Sequence, residues 1–207
     1  MLKLLGKSSS INVRKVLWTL DELGLAYEQQ QYGSGFAAVD TPEFLALNPN
    51  GMVPVLMDGD FVLWESNTIC RYLVQKQGDT TLLPADLQAR AKTEQWMDWQ
   101  ATELNNAWRY AFMSLVRQSP AHQDQAALAT GIQQWNRMMA IVDAQLQKTG
   151  AYISGSEFTL ADIVIGLSVQ RWMMTPIVRA QLPAVAAYYE LLSQRPAFLK
   201  HGRNGLP

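Results

Sequence analysis

A chain of 207 residues and 23.2 kDa is long enough for one large domain or two small ones, and for a substantial core. Its formal net charge of −1 supplies neither a basic stripe for nucleic acid nor an acidic tail. Although 48% of the residues are apolar, no uninterrupted run reaches bilayer-spanning length, and the opening Met1 to Gly6 is too brief for a signal segment.

Leu2 to Leu5 predicts a first strand. Val13, Val16, Leu17, Leu20 and Leu23 then recur at helical spacing, and Gly24 is placed to close that helix. Tyr27 to Tyr32 predicts a second strand in spite of its glutamines, and Thr41 to Leu47 a short helix ahead of the Asn48-Pro49 break. Val53-Pro54 heads the strand Val55-Leu56-Met57; proline forfeits a ladder N–H and is tolerated only at a strand start or edge. Such a bond also adopts cis at modest cost, which exposes the polar groups of the residue before it. Asp58-Gly59 signals a tight turn and Phe61-Val62-Leu63 the returning strand. Glu65-Ser66 opens a helix with Ile69, Tyr72 and Leu73 on one face. The order β-α-β-α-β-β-α is that of a thioredoxin-like domain, a mixed sheet with helices on its faces, over residues 1–80.

Gln77 to Pro84 reads as a connector, and beyond it strand signals stop. Asp86 is placed to cap a long helix on which Leu104, Trp108, Phe112 and Leu115 share a face. Ser119-Pro120 interrupts it. Ile132, Trp135, Met139, Val142 and Leu146 mark another helix, and Thr159-Leu160-Ala161-Asp162 is a reciprocal N-terminal cap ahead of the apolar run Ile163 to Leu167. Residues 88–207 are therefore read as an all-helical domain.

Two stretches far apart in the chain carry a family resemblance. The turn Asn48-Pro49-Asn50-Gly51-Met52-Val53-Pro54, followed in order by a hairpin and the Glu65-Ser66 helix start, resembles the glutathione-binding half of the cytosolic glutathione S-transferases. The Gly155-to-Asp162 pattern, a glycine, an aromatic and Thr-x-Ala-Asp, is similar to the capping element of that family's helical domain. The resemblance covers nearly the whole chain and points to a bacterial member with a serine and asparagine loop. It implies an α/β plus all-α protein in which a thioredoxin-like N-terminal domain precedes an all-helical C-terminal domain. It further implies a cytoplasmic, homodimeric detoxification enzyme that takes glutathione as co-substrate and conjugates its thiolate to a small electrophile.

The chemistry expected of such an enzyme is specific. A free thiol has a pKa near ~8.5, so favouring the thiolate at neutral pH requires roughly two units of stabilisation. Hydrogen-bond donors and a helix N-terminus both supply it. The loop Ser8-Ser9-Ser10-Ile11-Asn12 offers both. By resemblance Ser10 is the favoured sulfur donor with Asn12 assisting, and Ser9 is a rival because adjacent serines blur the register. Helix capping is the plain alternative for this cluster. The loop holds no tyrosine and no cysteine, which disfavours the tyrosine-dependent classes and those that form a mixed disulfide.

The resemblance also assigns Glu65 to the ammonium and Ser66 to the carboxylate of the γ-glutamyl end of glutathione. The backbone of Val53, beside Pro54, pairs with its cysteinyl unit. Met52 departs from the lysine or polar residue many relatives carry there, so the glycyl carboxylate falls to another group, Asn50 or Lys3. The electrophile is expected against Asn105, Arg109, Phe112 and Met113, with Trp172 opposite; Arg109 suits an anionic substrate. Cys70, the sole cysteine, allows no internal disulfide, and His122 and His201 stand apart, so no metal is expected. No nucleic-acid or membrane partner is implied. The rival functions are glutathione-dependent disulfide reduction on the same fold and a non-enzymatic binding module; loss of Pro54, Glu65 or Ser66 would favour the latter, and all are present.

Overall fold

The computed structural model describes residues 1–207 and opens with strand β1 (Leu2–Leu5), helix α1 (Ile11–Glu22) and strand β2 (Tyr27–Gln30). β1 and β2 are parallel, Leu2 opposite Tyr27 and Leu5 opposite Gln30, and α1 makes the crossover that parallel strands need. Helix α2 (Pro42–Leu47), β3 (Val55–Asp58), β4 (Phe61–Trp64) and α3 (Ser66–Gln77) complete this half. The four strands lie in the order β2-β1-β3-β4, with β3 antiparallel to both neighbours. The expected second strand is shorter than Tyr27 to Tyr32. Gly33 and Gly35, both at positive φ, turn the chain after Gln30, and Tyr32 keeps only an isolated bridge to Ala37.

The helical half begins with α4 (Leu87–Trp99), a π-helical turn (Gln100–Leu104) and α5 (Asn105–Leu115), which run on from one another. A 3-10 turn (Pro120–His122), α6 (Gln125–Thr149), α7 (Leu160–Met174), α8 (Pro183–Leu192) and α9 (Pro196–His201) follow. The Asp86 carboxylate caps α4 by accepting from the N–H groups of Gln88 and Ala89. No helix is long and apolar enough to cross a membrane.

Helix α1 lies between the two halves and is buried nearly all round. Val13, Val16, Leu17, Trp18 and Leu20 are all shielded from solvent, and so are Arg14 and Lys15. The Trp18 ring packs on Phe198 and Phe158, with centroids 4.9 and 5.8 Å away. Gly166 allows α7 to come this close: a Cβ there would fall 2.6 Å from Leu192 Cδ1 and 3.2 Å from the Trp18 ring. The far end of α1 is clamped by charge, since Arg195 Nη2 reaches Glu22 at 2.6 Å and Lys200 reaches Asp21 at 2.7 Å.

The start of α7 is fixed by the capping box predicted at Thr159 and Asp162. The fully buried Asp162 carboxylate accepts from the N–H groups of Ile153 and Thr159, both at 2.8 Å, and from the Tyr188 hydroxyl at 2.9 Å. Burial pushes its pKa up to about 6 against the pull of these donors. Replacing it by alanine strands several buried donors together. Asp162→Ala is expected to lower stability by about 3 kcal/mol in urea unfolding, whereas a surface carboxylate such as Glu157 changed to alanine stays within about 0.5 kcal/mol.

Candidate functional site

The loop from Asn48 to Pro54 is built by one buried amide. Asn48 Nδ2 donates to the carbonyl of Met52 at 2.8 Å, while its Oδ1 accepts from the Asn50 N–H at 3.1 Å and from Asn50 Nδ2 at 2.9 Å. Gly51 sits at φ +60°, and a Cβ there would approach the Val39 carbonyl to 3.2 Å. The turn delivers the chain into the cis Val53-Pro54 bond. Val53 belongs to neither helix nor strand, and its N–H and C=O make no hydrogen bond within the chain. Buried or half-buried backbone groups are rarely left unpaired, and these two are free to pair with another extended backbone.

Helix α3 begins beside it without a side-chain cap. Its first residue, Ser66, is buried and its hydroxyl is unpaired among the chain's hydrogen bonds. Free N–H groups at such a terminus, with the helix dipole behind them, favour a carboxylate. Glu65, immediately before, is exposed and holds φ 73°, ψ 108°, a conformation unusual for any residue but glycine. That geometry costs on the order of 1–3 kcal/mol, and it turns a carboxylate out at the mouth of the helix.

Helix α1 also begins without a side-chain cap: Ser10 holds the N-cap position, yet its hydroxyl bonds to no helix N–H. Of the predicted sulfur donors, Asn12 is half-buried and lines a cleft of about 230 Å³ together with Asn48, Asn50, Met52, Val53, Pro54, Glu65 and Ser66. Ser10 is half-buried at the helix start and Ser9 is exposed; neither lines that cleft. The neighbouring Ser8 is bonded to Gln29, so it is already engaged. Of the two groups considered for the glycyl carboxylate, Asn50 is in the cleft and Lys3 lies along β1, outside it.

The residues named for the electrophile separate into two sets. Asn105, Arg109 and Met113 succeed one another along α5; Arg109 is exposed with no ion pair, and Met113 is half-buried. Phe112 and Trp172 point into the core. Phe112 lies 4.1 Å beneath the Arg171 guanidinium, and Trp172 Nε1 donates to Asn136 at 3.0 Å. None of the five lines the cleft around Asn12. Sequence periodicity put Phe112 on the right helix but could not show that Arg171 would cover it.

Reading the sequence also missed Asn48 as the residue that shapes the loop, and it missed Lys15, Asn67 and Gln100, whose buried side chains meet between α1, α3 and the π-helical turn. Asn48 had a signal, an asparagine two residues before another polar turn residue. Lys15 had a fainter one, a charge inside an otherwise apolar helix. Cys70 is fully buried, with its thiol pushed up to about 11 by burial and facing Thr19. It is not poised as a nucleophile.

A mixed sheet entered through a cis proline, with an uncapped helix beside it and a helical bundle packed on one face, defines a thioredoxin-like domain joined to a helical domain. The chain matches the glutathione S-transferase N-terminal domain over residues 1–75 and the glutathione S-transferase C-terminal domain over residues 125–191. It belongs to the glutathione S-transferase family. It is 40% identical over 202 residues to glutathione S-transferase GstB of Escherichia coli K12, covering 97% of each chain. It is 37% identical over 207 residues to glutathione S-transferase 3 of Zea mays, covering 96% of this chain and 92% of that one. Among solved structures, the theta class glutathione S-transferase of Xanthomonas axonopodis pv. citri with glutathione bound superposes with a TM-score of 0.92 at 38% identity, over 100% of this chain and 99% of that one.

The strain at Glu65 can be measured. Glu65→Gly, which accepts φ 73° freely, is expected to gain about 1 kcal/mol in denaturant unfolding after its own entropy cost. Glu65→Ala, which keeps the strain, gains nothing. A destabilised Glu65→Gly would contradict this account of the backbone.

Proposed function

We propose that this protein is a glutathione transferase that binds the tripeptide in the cleft beside Asn12 and transfers its thiolate to a small electrophilic carbon. The observation that carries the reading is the meeting, in one cleft, of the unpaired backbone of Val53 with the uncapped terminus of α3. The first suits the cysteinyl unit in strand-like pairing, and the second suits a carboxylate. Glu65 takes the γ-glutamyl ammonium, the hydroxyl and N–H of Ser66 take the neighbouring carboxylate, and Asn50 takes the glycyl end. Met52 contributes its backbone alone.

The sulfur then lies at the start of α1. Ser10, whose hydroxyl is unspent, donates to it, and the Asn12 amide assists from the cleft wall. Neutral donors and the helix N-terminus favour the thiolate over the thiol. The thiolate attacks the electrophilic carbon, the carbon–sulfur bond forms, and the electron pair passes to the leaving group or the adjacent activated bond. Holding both reactants in one site supplies much of the rate through orientation. The electrophile enters along Asn105, Arg109 and Met113, over the core residues Phe112 and Trp172, and the free cation of Arg109 favours an anionic one. The exposed Phe61 and Trp64 on the edge strand β4 support a homodimer.

Ser10→Ala is expected to be retained on a glutathione matrix while its kcat/KM for conjugation falls about 10- to 100-fold, the worth of a charge-assisted hydrogen bond. A fully active Ser10→Ala beside an inactive Asn12→Ala would transfer the principal role to Asn12. On a panel of aryl halides, unsaturated acids and small disulfides, turnover of an electrophile should exceed turnover of every disulfide. Arg109→Ala should lower kcat/KM for the acids about threefold or more and leave neutral electrophiles unchanged.

A further inference from the structure

Helix α1 carries a lysine at the heart of the protein. Lys15 is 1% exposed, and no carboxylate bonds its ammonium. Its Nζ donates instead to neutral amides, Gln100 Oε1 at 2.7 Å and Asn67 Oδ1 at 3.3 Å. Both amides are committed on their other side. Gln100 Nε2 donates to Ser168 Oγ at 3.1 Å and to Asn105 Oδ1 at 3.2 Å, and Asn67 Nδ2 donates to the carbonyl of Met97 at 2.9 Å. Gln100 opens the π-helical turn that interrupts the long helix, a device found often at functional sites. A cation so deeply buried without a counter-ion is costly for folding alone, since apolar residues fill such space more cheaply.

Its position suggests what the charge is for. Asn12 and Ser66 line the cleft; Lys15 follows Asn12 by one helical turn and its ammonium is bonded to Asn67, the residue next to Ser66, so the charge is held by neighbours of the cleft wall. The titratable groups facing it are Glu65 ahead of α3, Cys70 within α3, and Arg171 from α7. Arg171 repels it, the Cys70 thiol is kept neutral by burial, and Arg71 nearby is already held by Asp98. Glu65 is exposed. The field of Lys15 is therefore left to act on an anion in the cleft.

We propose that Lys15 is a positioning residue of this glutathione site: its ammonium, held by Gln100 and Asn67, favours the thiolate of the bound tripeptide from behind while tying α1 to α3 and to the helical half. The inference rests on the glutathione reading above. Burial pulls the lysine pKa down to about 8, so the charge is present through the neutral range and fades above it.

Gln100→Glu tests it on the intact protein, because it keeps the size and the acceptor for Lys15 and adds the missing negative charge. Lys15→Met removes the cation and keeps the length. In both, the acidic limb of the pH profile of kcat/KM should move up by about half a pH unit or more, and the ultraviolet thiolate signal of bound glutathione, read at a pH well below that limb, should fall about threefold. The KM for glutathione in Gln100→Glu should change little. A folded Gln100→Glu that binds glutathione with an unshifted pH profile would reduce Lys15 to a packing residue and overturn the proposal. A wild-type protein that binds no glutathione would overturn the glutathione reading itself, and this inference with it.

Discussion

Burial of α1 from both sides is the constraint on which the rest of the structure depends. One face of the helix covers α3 and the sheet, while Trp18 packs on Phe158 and Phe198 from the helical half. Its N-terminus, Asn12 included, is thereby fixed with respect to the loop at Val53 and the start of α3. The cleft itself is built by the first half alone, and the helical half braces α1 from the other side. The salt bridges at Asp21 and Glu22 lie at the opposite end of the helix, so they guard its direction without competing for the cleft. Partly exposed pairs of this kind contribute modestly. The apolar contacts around Trp18 and Gly166 carry the association.

What the cleft offers a ligand comes largely from backbone. Val53 leaves both polar groups unpaired, α3 leaves its first N–H groups uncapped, and Ser10 leaves α1 in the same condition. Helices α4, α6 and α7 are capped by Asp86, Asp124 and Thr159, whereas α1 and α3 open toward the cleft with no side-chain cap. The strain at Glu65 lies beside them, at the mouth of α3. Local rules are broken where a ligand would make them good.

Much of this was legible in the residues. Apolar spacing marked α1, α3 and α6, and the Asp58-Gly59 turn signal marked the hairpin. The caps at Asp86 and Thr159 were readable because capping chemistry is local. Less legible was whatever depended on contacts between the halves. The π turn at Gln100 carries no glycine or proline, and its residues are ordinary helix formers. The side-chain partners of Gln100, Lys15 and Ser168, are distant in sequence. For the same reason the aromatic stripe on α5 divided in a way that spacing could not foretell, with Phe112 drawn under Arg171 and Arg109 left outside. Within the site, Val53, Pro54, Glu65 and Ser66 were named from the sequence and share the cleft. Ser10 and Ser9 were named with Asn12, yet only Asn12 reaches the lining.

The central claim is that a thiol tripeptide enters this cleft and loses its thiol proton there. Isothermal calorimetry with glutathione and with its S-methyl derivative, repeated near pH 7 in buffers of different ionisation enthalpy, counts that proton. The account predicts saturable binding of both, with the release of up to about one proton per site for glutathione and essentially none for the S-methyl form. Equal proton release for the two ligands, or no heat at millimolar glutathione, would contradict it.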